Sequence, residues 1–359
     1  MKCKILTIHH IHNFGSVFQA YALQRFLSQQ GHDALIVDYR PGYYQAGRNK
    51  VKTLVGKVLN FKPYRTRKKK FEHFVNTYEN LTKERFISYP ELERSFEHAD
   101  GVWIAGGDQL WNNYHPCGRD DAYKLTFTRS GRKLAYGTSM GRDNFAPKEL
   151  ETLAEKIQNF QTIMLREKCT VDLLEKYTTV PVCHVIDPVG LLDPEEFLTI
   201  AKKPDMEEPY AVMYLADSGP LLDEAVKKLS REMGLKIVHI CGFRQKCYCD
   251  YFEKDVGPEE ILGYIANAQF VLSASFHATM FSLLFNKPFA SLLPGTHTNA
   301  RIEDLLRYVG LEDRILRTAE DLNMLGQHID FTNPNAILKK WKEASRALLL
   351  QALEKETEE

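Results

Sequence analysis

Three hydroxyls and an imidazole recur at alternate positions in Ser273-Ala-Ser275-Phe-His277-Ala-Thr279. The apolar run Phe270-Val-Leu272 before them reads as a short buried strand, and the stretch from Met280 to Asn286 after them as a helix. Ser275, His277 and Thr279 therefore fall where a strand ends and a helix begins. Backbone N–H groups at a helix start favour an anion, and an imidazole that titrates near neutrality can move protons beside it. Taken alone, the segment is better explained by a capped helix with an internal histidine.

Three further strand ends carry polar clusters. The first strand runs into His9-His10-Ile-His12-Asn13-Phe14-Gly15-Ser16, a loop that enters a helix through Ser16 and can receive an anion or a sugar. Its histidines lack a carboxylate at metal-ligand spacing, so no metal site is expected there. A later strand ends in Gly106-Gly107-Asp108-Gln109-Leu110-Trp111-Asn112. The glycines allow close approach of the backbone, Asp108, Gln109 and Asn112 supply acceptors and donors, and Trp111 supplies a flat apolar face, a set suited to a sugar. A tight turn capped by Asp108 is the plainer account of the same residues. A third strand leads into Arg166-Glu167-Lys168, where a guanidinium can hold a carboxylate or phosphate with two parallel bonds.

The elements that must position these groups alternate. Strands are expected at 4–8, 34–38, 101–105, 133–137 and 162–165, with helices at 16–30, 71–78 and 147–160 between them. A second series has strands at 210–215, 236–240, 270–272 and 289–293, with helices at 221–233, 258–267 and 279–286. Between the two series, residues 182–197 are rich in Pro, Asp and Glu and read as a link. The expected fold is α/β with two Rossmann-like lobes and a central cleft: residues 1–185, a link at 186–205, residues 206–330, and a helix at 334–355 that crosses back. A chain of 359 residues, 44% hydrophobic, is large enough to bury two cores.

No apolar stretch is long enough to span a bilayer, and the opening Met1-Lys-Cys-Lys-Ile-Leu-Thr-Ile-His9 lacks a signal peptide's apolar core, so a cytoplasmic location is expected. The seven cysteines are an odd number scattered through a large chain, which fits a reducing compartment rather than a disulfide framework. Cys241, Cys247 and Cys249 cluster without a fourth ligand at zinc spacing.

Net charge is zero, yet from Arg48 to Phe71 the chain carries lysines and arginines with no acid among them. Val51, Leu54, Val55, Val58, Leu59 and Phe61 are interleaved at roughly helical spacing. Residues 48–70 are consistent with a basic amphipathic helix on the inner face of an anionic membrane, or gripping phosphates, and equally with a solvated insertion. Nucleic acid is not expected, because no reading motif or aromatic stacking set accompanies the basic run.

His12-Asn-Phe-Gly-Ser-Val-Phe-Gln-Ala-Tyr-Ala-Leu-Gln24, Gly106-Gly-Asp-Gln-Leu-Trp-Asn112, Leu165-Arg-Glu-Lys168, Asp187-Pro188, Ser275-Phe-His277 and Arg301-Ile-Glu-Asp-Leu-Leu306 occur in an order that resembles the polysaccharide pyruvyltransferase family over nearly the whole chain. Two departures affect pocket shape rather than charge: Gly107 stands where the family usually has Ser, and Ala278 where Gly is common. The resemblance implies a fold like the GT-B glycosyltransferases. It also implies an enzyme that takes pyruvate from phosphoenolpyruvate, without a cofactor, and attaches it to two hydroxyls of a saccharide as a cyclic ketal.

By the same resemblance His277 and Arg166 take the catalytic positions, with Ser275, Thr279 and Arg301 on the donor side of the second lobe. Asn13, Gly15, Asp108, Gln109, Trp111 and Asn112 then serve the acceptor, lipid-linked or free, in the first lobe. Asp187 competes with Asp108 for binding or deprotonating the acceptor, and Arg301 is either a second anion ligand or the partner of Glu303 or Asp304. A GT-B-like glycosyltransferase using a nucleotide sugar is the alternative enzyme, although neither a GxGxxG turn nor a Walker loop is present. A sugar-binding protein without activity is the other alternative.

Overall fold

A computed structural model of the chain describes residues 1–46, 61–214, 218–240, 245, 247–293 and 299–354. It contains two parallel sheets, each flanked by helices, in two compact units. The first unit comprises residues 1–48, 75–192 and 339–359, and the second comprises 49–74 and 193–338.

The sheet of the first unit has seven strands: β1 (Lys2–Leu6), β2 (Asp33–Tyr39), β3 (Leu81–Phe86), β4 (Val102–Ala105), β5 (Arg132–Thr138), β6 (Thr162–Leu165) and β7 (Val182–His184). Their order is β3-β2-β1-β4-β5-β6-β7, and every neighbouring pair is parallel. All the strands therefore end at the same edge of the sheet. The order reverses between β1 and β4, in register Cys3 with Val102 to Leu6 with Ala105. Ligands in open α/β sheets bind beyond such a reversal, and here the loops beyond it are His9–Asn13 and Gly106–Asn112.

The second unit repeats the plan with six strands: β8 (Tyr210–Tyr214), β9 (Lys236–Ile240), β10 (Tyr251–Glu253), β11 (Phe270–Ser273), β12 (Phe289–Leu292) and β13 (Ile315–Leu316). The order is β10-β9-β8-β11-β12-β13, again parallel throughout. Its reversal lies between β8 and β11, and the chain leaving β11 is the Ser275-Phe-His277 segment.

Central strands are short apolar runs because both faces are covered; β4 and β11 are buried at every position. The cores follow. Trp103 on β4 is fully buried and meets Phe96 and Phe127 edge-on, an arrangement that adds about 0.5–1.5 kcal/mol per pair beyond burial. Phe197 meets Phe281 in the same way in the second unit.

Four strands depart from the sequence expectation, and all four lie at the sheet margins. β3 has an exposed centre, Lys83-Glu84-Arg85. β7, β10 and β13 have three, three and two residues. An edge strand has fewer neighbours to bury it and carries little apolar signal. The region read as a link is likewise not a bare connection: it supplies β7, a 3-10 turn at Pro188–Leu191 and a helix at Pro194–Ile200.

Most of the basic run at 48–70 lies outside the described residues. Its end is helical, in the helix Phe61–Tyr78, which starts ten residues earlier than expected. Lys70 does not face solvent as a free cation: it donates to Glu260 Oε2 at 2.8 Å and lies 3.9 Å from Asp255 Oδ1. Gly257 accommodates it, since a Cβ there would come within 2.6 Å of Lys70 Cβ. No helix among the described residues is long and apolar enough to cross a membrane.

Candidate functional site

In the first unit, the loops beyond β1, β4, β5 and β6 meet in a buried polar centre. The helix after β1 runs from Phe14 to Gln29 and is capped by Asn13, whose Oδ1 accepts the Ser16 N–H at 3.3 Å. It thus begins before Ser16, and Gly15 is buried in its first turn. Ser16 Oγ donates to Asp108 Oδ2 at 2.5 Å, tying the first loop to the second. Gln19 Nε2 donates to Thr7 Oγ1, Ile8 O and Ser16 O, while Thr7 Oγ1 donates to Gly107 O.

Asp108 has a backbone φ of 73°, unusual for a residue with a side chain. Its carbonyl accepts from Ser139 N at 2.9 Å and Leu110 N at 2.8 Å, and its Oδ1 accepts from Gln109 N at 2.8 Å. Those bonds hold the strained turn in place. Gly107 and Gly137 are required by Pro188: a Cβ would lie 2.8 Å from Pro188 Cγ in the first case and 2.5 Å from Pro188 Cδ in the second. The Asp187-Pro188 pair is thereby wedged against the ends of β4 and β5.

Arg166, just beyond β6, is fully buried rather than open to a ligand. Its Nε donates to Glu167 Oε1 at 2.9 Å and its Nη1 to Asp187 Oδ2 at 2.6 Å. Burial alone would lower its pKa, but Asp187, Glu167 and Asp108 outweigh burial and raise it. Asp187 Oδ1 also accepts from Val189 N at 3.0 Å. Nε and Nη1 of the Arg166 guanidinium thus face carboxylates of the protein itself.

Trp111 and Asn112 are both buried, each with a partner inside the protein. Trp111 is 2% exposed, donates Nε1–H to Tyr123 O at 2.9 Å, and packs edge-on against Phe160. It lines a cavity of about 610 Å³ together with Lys124, Phe145 and Glu149. Asn112 is 1% exposed and bonded to Gln109 Oε1 and Tyr114 N. Local sequence could not reveal this, because an aromatic ring after a turn reads the same whether it points inward or outward.

His9 of the histidine-rich loop is buried between Thr7 O and Asp38 Oδ1, its Nε2 3.0 Å from the latter. Burial raises the pKa of Asp38, but hydrogen bonds from His9, Arg40 and Arg85 outweigh it and hold the carboxyl well below its usual range. Burial, with the charges of His9 and Arg40, pushes the His10 imidazole down to about 3 and so keeps it neutral. Among the described residues no group of three or more His, Cys, Asp or Glu is placed to hold a metal ion.

In the second unit, the helix after β11 runs from Phe276 to Leu284, with Ser275 as its cap. Ser275 Oγ accepts from Ala278 N at 3.4 Å, and Ser273 Oγ accepts from Ser275 N at 3.0 Å. His277 is the second helical residue, 8% exposed, its ring edge-on to Phe276. Thr279 is buried at the same helix start: its Oγ1 lies 2.8 Å from Ser291 Oγ and donates to Ser275 O at 3.1 Å. Arg301 is the second residue of the helix Ala300–Val309. Glu303, one suggested partner for it, accepts instead from Arg317 Nη2 at 3.1 Å.

The structure thus joins Ser16, Asp108, Arg166, Glu167 and Asp187 in one unit and places Ser275, His277 and Arg301 in the other. Glu167 and Ser16 escaped the sequence-based choice of site residues. Their signal was their place in the quoted motifs, Glu167 beside Arg166 and Ser16 three residues after the Asn13 cap.

A family model described as polysaccharide pyruvyl transferase matches residues 13–295. No curated protein sequence matches the chain significantly. Among solved structures, UDP-GlcNAc 2-epimerase from Methanocaldococcus jannaschii in complex with UDP-GlcNAc and UDP is similar at 15% identity and a TM-score of 0.55, covering 98% of this chain and 100% of its own. UDP-N-acetylglucosamine 2-epimerase from Rickettsia bellii is similar at 10% identity and a TM-score of 0.56, covering 98% and 95%. At such identities the likeness is one of fold, and the fold is α/β of the GT-B type.

Proposed function

Because the chain belongs to the polysaccharide pyruvyl transferase family, we propose that it transfers the pyruvyl group of phosphoenolpyruvate to two hydroxyls of a saccharide, as a cyclic ketal. The observation that carries this reading is the family match over residues 13–295, which includes His277 at its helix start.

Carbon 3 of the donor gains a proton, and a sugar hydroxyl attacks the cationic carbon 2 while losing its own proton. The bond to phosphate oxygen then breaks, phosphate leaves, and the second hydroxyl closes the ring with loss of a second proton. An imidazole at the start of a helix suits this traffic: it can exchange a proton while helix N–H groups favour the donor's anionic groups. His277 is assigned that proton transfer, and Ser275 and Arg301 the donor side. Arg166 acts as a positioning residue, fixing Asp187 and Glu167. Asp108, with Asn13, Gly15 and Gln109 around it, is assigned to the acceptor.

A donor with two compact anionic groups needs no base-binding slot. Phosphoenolpyruvate is therefore expected to raise the melting temperature in a dose-dependent way, by the mass action of a ligand that binds only the folded state, and UDP- and GDP-sugars are expected to leave it unchanged. Differential scanning fluorimetry reads both. Stabilisation by a nucleotide sugar with none by phosphoenolpyruvate would replace this reading with that of a glycosyltransferase.

The acceptor side also bears on the basic helix. Lys62, Arg65 and Lys69 are exposed and lie three and seven residues apart, hence on one helix face. We assign that face to an anionic membrane or to the diphosphate of a lipid-linked acceptor. Replacing all three with Gln should reduce co-sedimentation with phosphatidylglycerol vesicles several-fold at low salt, with turnover of a soluble acceptor retained. Lys70 should be left intact, since its loss would remove the cation paired with Glu260. Undiminished co-sedimentation would assign the helix to solvent.

A further inference from the structure

Beyond β2 and β3 in the first unit lies a cavity of about 440 Å³ that contains none of the residues discussed so far as ligands. Its volume falls in the usual range of small-molecule sites, about 300–1,000 Å³. Tyr39 and Tyr43 both donate their phenol O–H to Asp120 Oδ2, each at 2.8 Å. Asp120 Oδ1 accepts from Ala122 N at 3.0 Å.

The direction of those bonds decides what the cavity offers. Each phenol oxygen, its own proton committed to Asp120, is left as an acceptor, and Asp120 Oδ1 retains a second accepting site. Burial and the charge of Asp120 push both phenols upward in pKa, so they remain protonated in this arrangement. Donors line the cavity too. Arg119 is exposed at the cavity with no hydrogen bond or ion pair among the described residues. Ser88 occupies the cap position of the helix Tyr89–Phe96, yet its hydroxyl makes no capping bond. The rings of Tyr43 and Tyr89 and the side chain of Ile87, 59% exposed, supply apolar wall.

Clustered acceptors, separate donors and aromatic wall match a ring that carries several hydroxyls around an apolar C–H face. A phosphate group would meet the Asp120 carboxylate that lines the cavity. From this we infer that the cavity binds a saccharide residue of the acceptor. The inference rests on the pyruvyl-transfer reading for the word acceptor, but not for the chemistry of the cavity. Arg119 connects it with the polar centre through the segment Asn112–Asp120, whose Cys117 Sγ lies 3.5 Å from Gln109 O.

Saturation-transfer NMR with methyl β-glucoside, methyl β-galactoside and methyl N-acetyl-β-glucosaminide tests the inference on the parent protein and on Arg119→Ala and Tyr43→Phe. At least one glycoside should bind the parent. Its Kd should rise about tenfold in each variant, as expected for the loss of one hydrogen-bonding partner in a small polar site. Arg119→Ala removes an exposed side chain and should melt like the parent, so it remains informative if Tyr43→Phe folds poorly. Phosphoenolpyruvate should stabilise all three proteins equally. Equal glycoside affinity in parent and variants, or no glycoside binding while phosphoenolpyruvate still stabilises the protein, would overturn the cavity assignment alone. Glycoside binding lost in the variants, with phosphoenolpyruvate neither bound nor consumed, would leave the cavity standing and overturn pyruvyl transfer.

Discussion

His277→Ala is expected to lower pyruvyl turnover by about 10²–10⁴-fold, the usual worth of a positioned general acid or base. The loss should appear in kcat, with the melting shift produced by phosphoenolpyruvate largely retained, because a group that moves a proton in the transition state adds little to ground-state affinity. The site allows this separation: His277 follows the Ser275 cap, and the capping bonds to Ala278 N and Thr279 N do not involve its imidazole. Steady-state kinetics by phosphate release, alongside thermal shifts, reads both quantities. Full turnover in the variant would remove His277 from the mechanism.

Arg166→Ala is expected to act first on stability. It removes the cation between Glu167 and Asp187, both buried, and leaving a buried ion-pair partner uncompensated typically costs about 3–5 kcal/mol. Arg166→Lys should restore only part of that, since a single ammonium cannot reproduce the two divergent bonds to Glu167 Oε1 and Asp187 Oδ2. Urea unfolding gives the stability. A lysine variant as stable as the parent but without phosphoenolpyruvate binding would show instead that the guanidinium is a direct donor ligand.

Much of the central architecture is legible in the linear text. β4, β6, β9 and β11 are short apolar runs bounded by turn-forming or polar residues, and the structure places all four as strands close to where the residues alone put them. The helix after β11 is also found, although it starts at Phe276, three residues before the expected 279, with Ser275 as its cap. Burial on both sides of a sheet selects continuous apolar segments, so the signal is local. The outer strands β3, β7, β10 and β13 lack it, because what holds them is pairing with one distant neighbour.

Side-chain direction was the harder question. Nothing in Gly106-Gly-Asp-Gln-Leu-Trp-Asn112 distinguishes a Trp111 that faces a sugar from one whose N–H is satisfied by Tyr123 O, because the deciding contact is twelve residues away. Arg166 poses the same problem over a longer range: its counter-ion Asp187 lies on the far side of β7, in a stretch whose prolines and acids suggest a link.

The sequence by itself determined the residue types at the strand ends, the alternation that makes a parallel α/β fold, and the family motifs in their order. Only the tertiary structure decided which polar groups answer one another. The bonds from Ser16 to Asp108 and from Tyr39 and Tyr43 to Asp120 close over 92, 81 and 77 residues. Backbone propensities and hydrophobic periodicity act over a few residues and therefore leave a local trace. A hydrogen bond between two loops depends on strand order and register, which are fixed only when the whole sheet assembles.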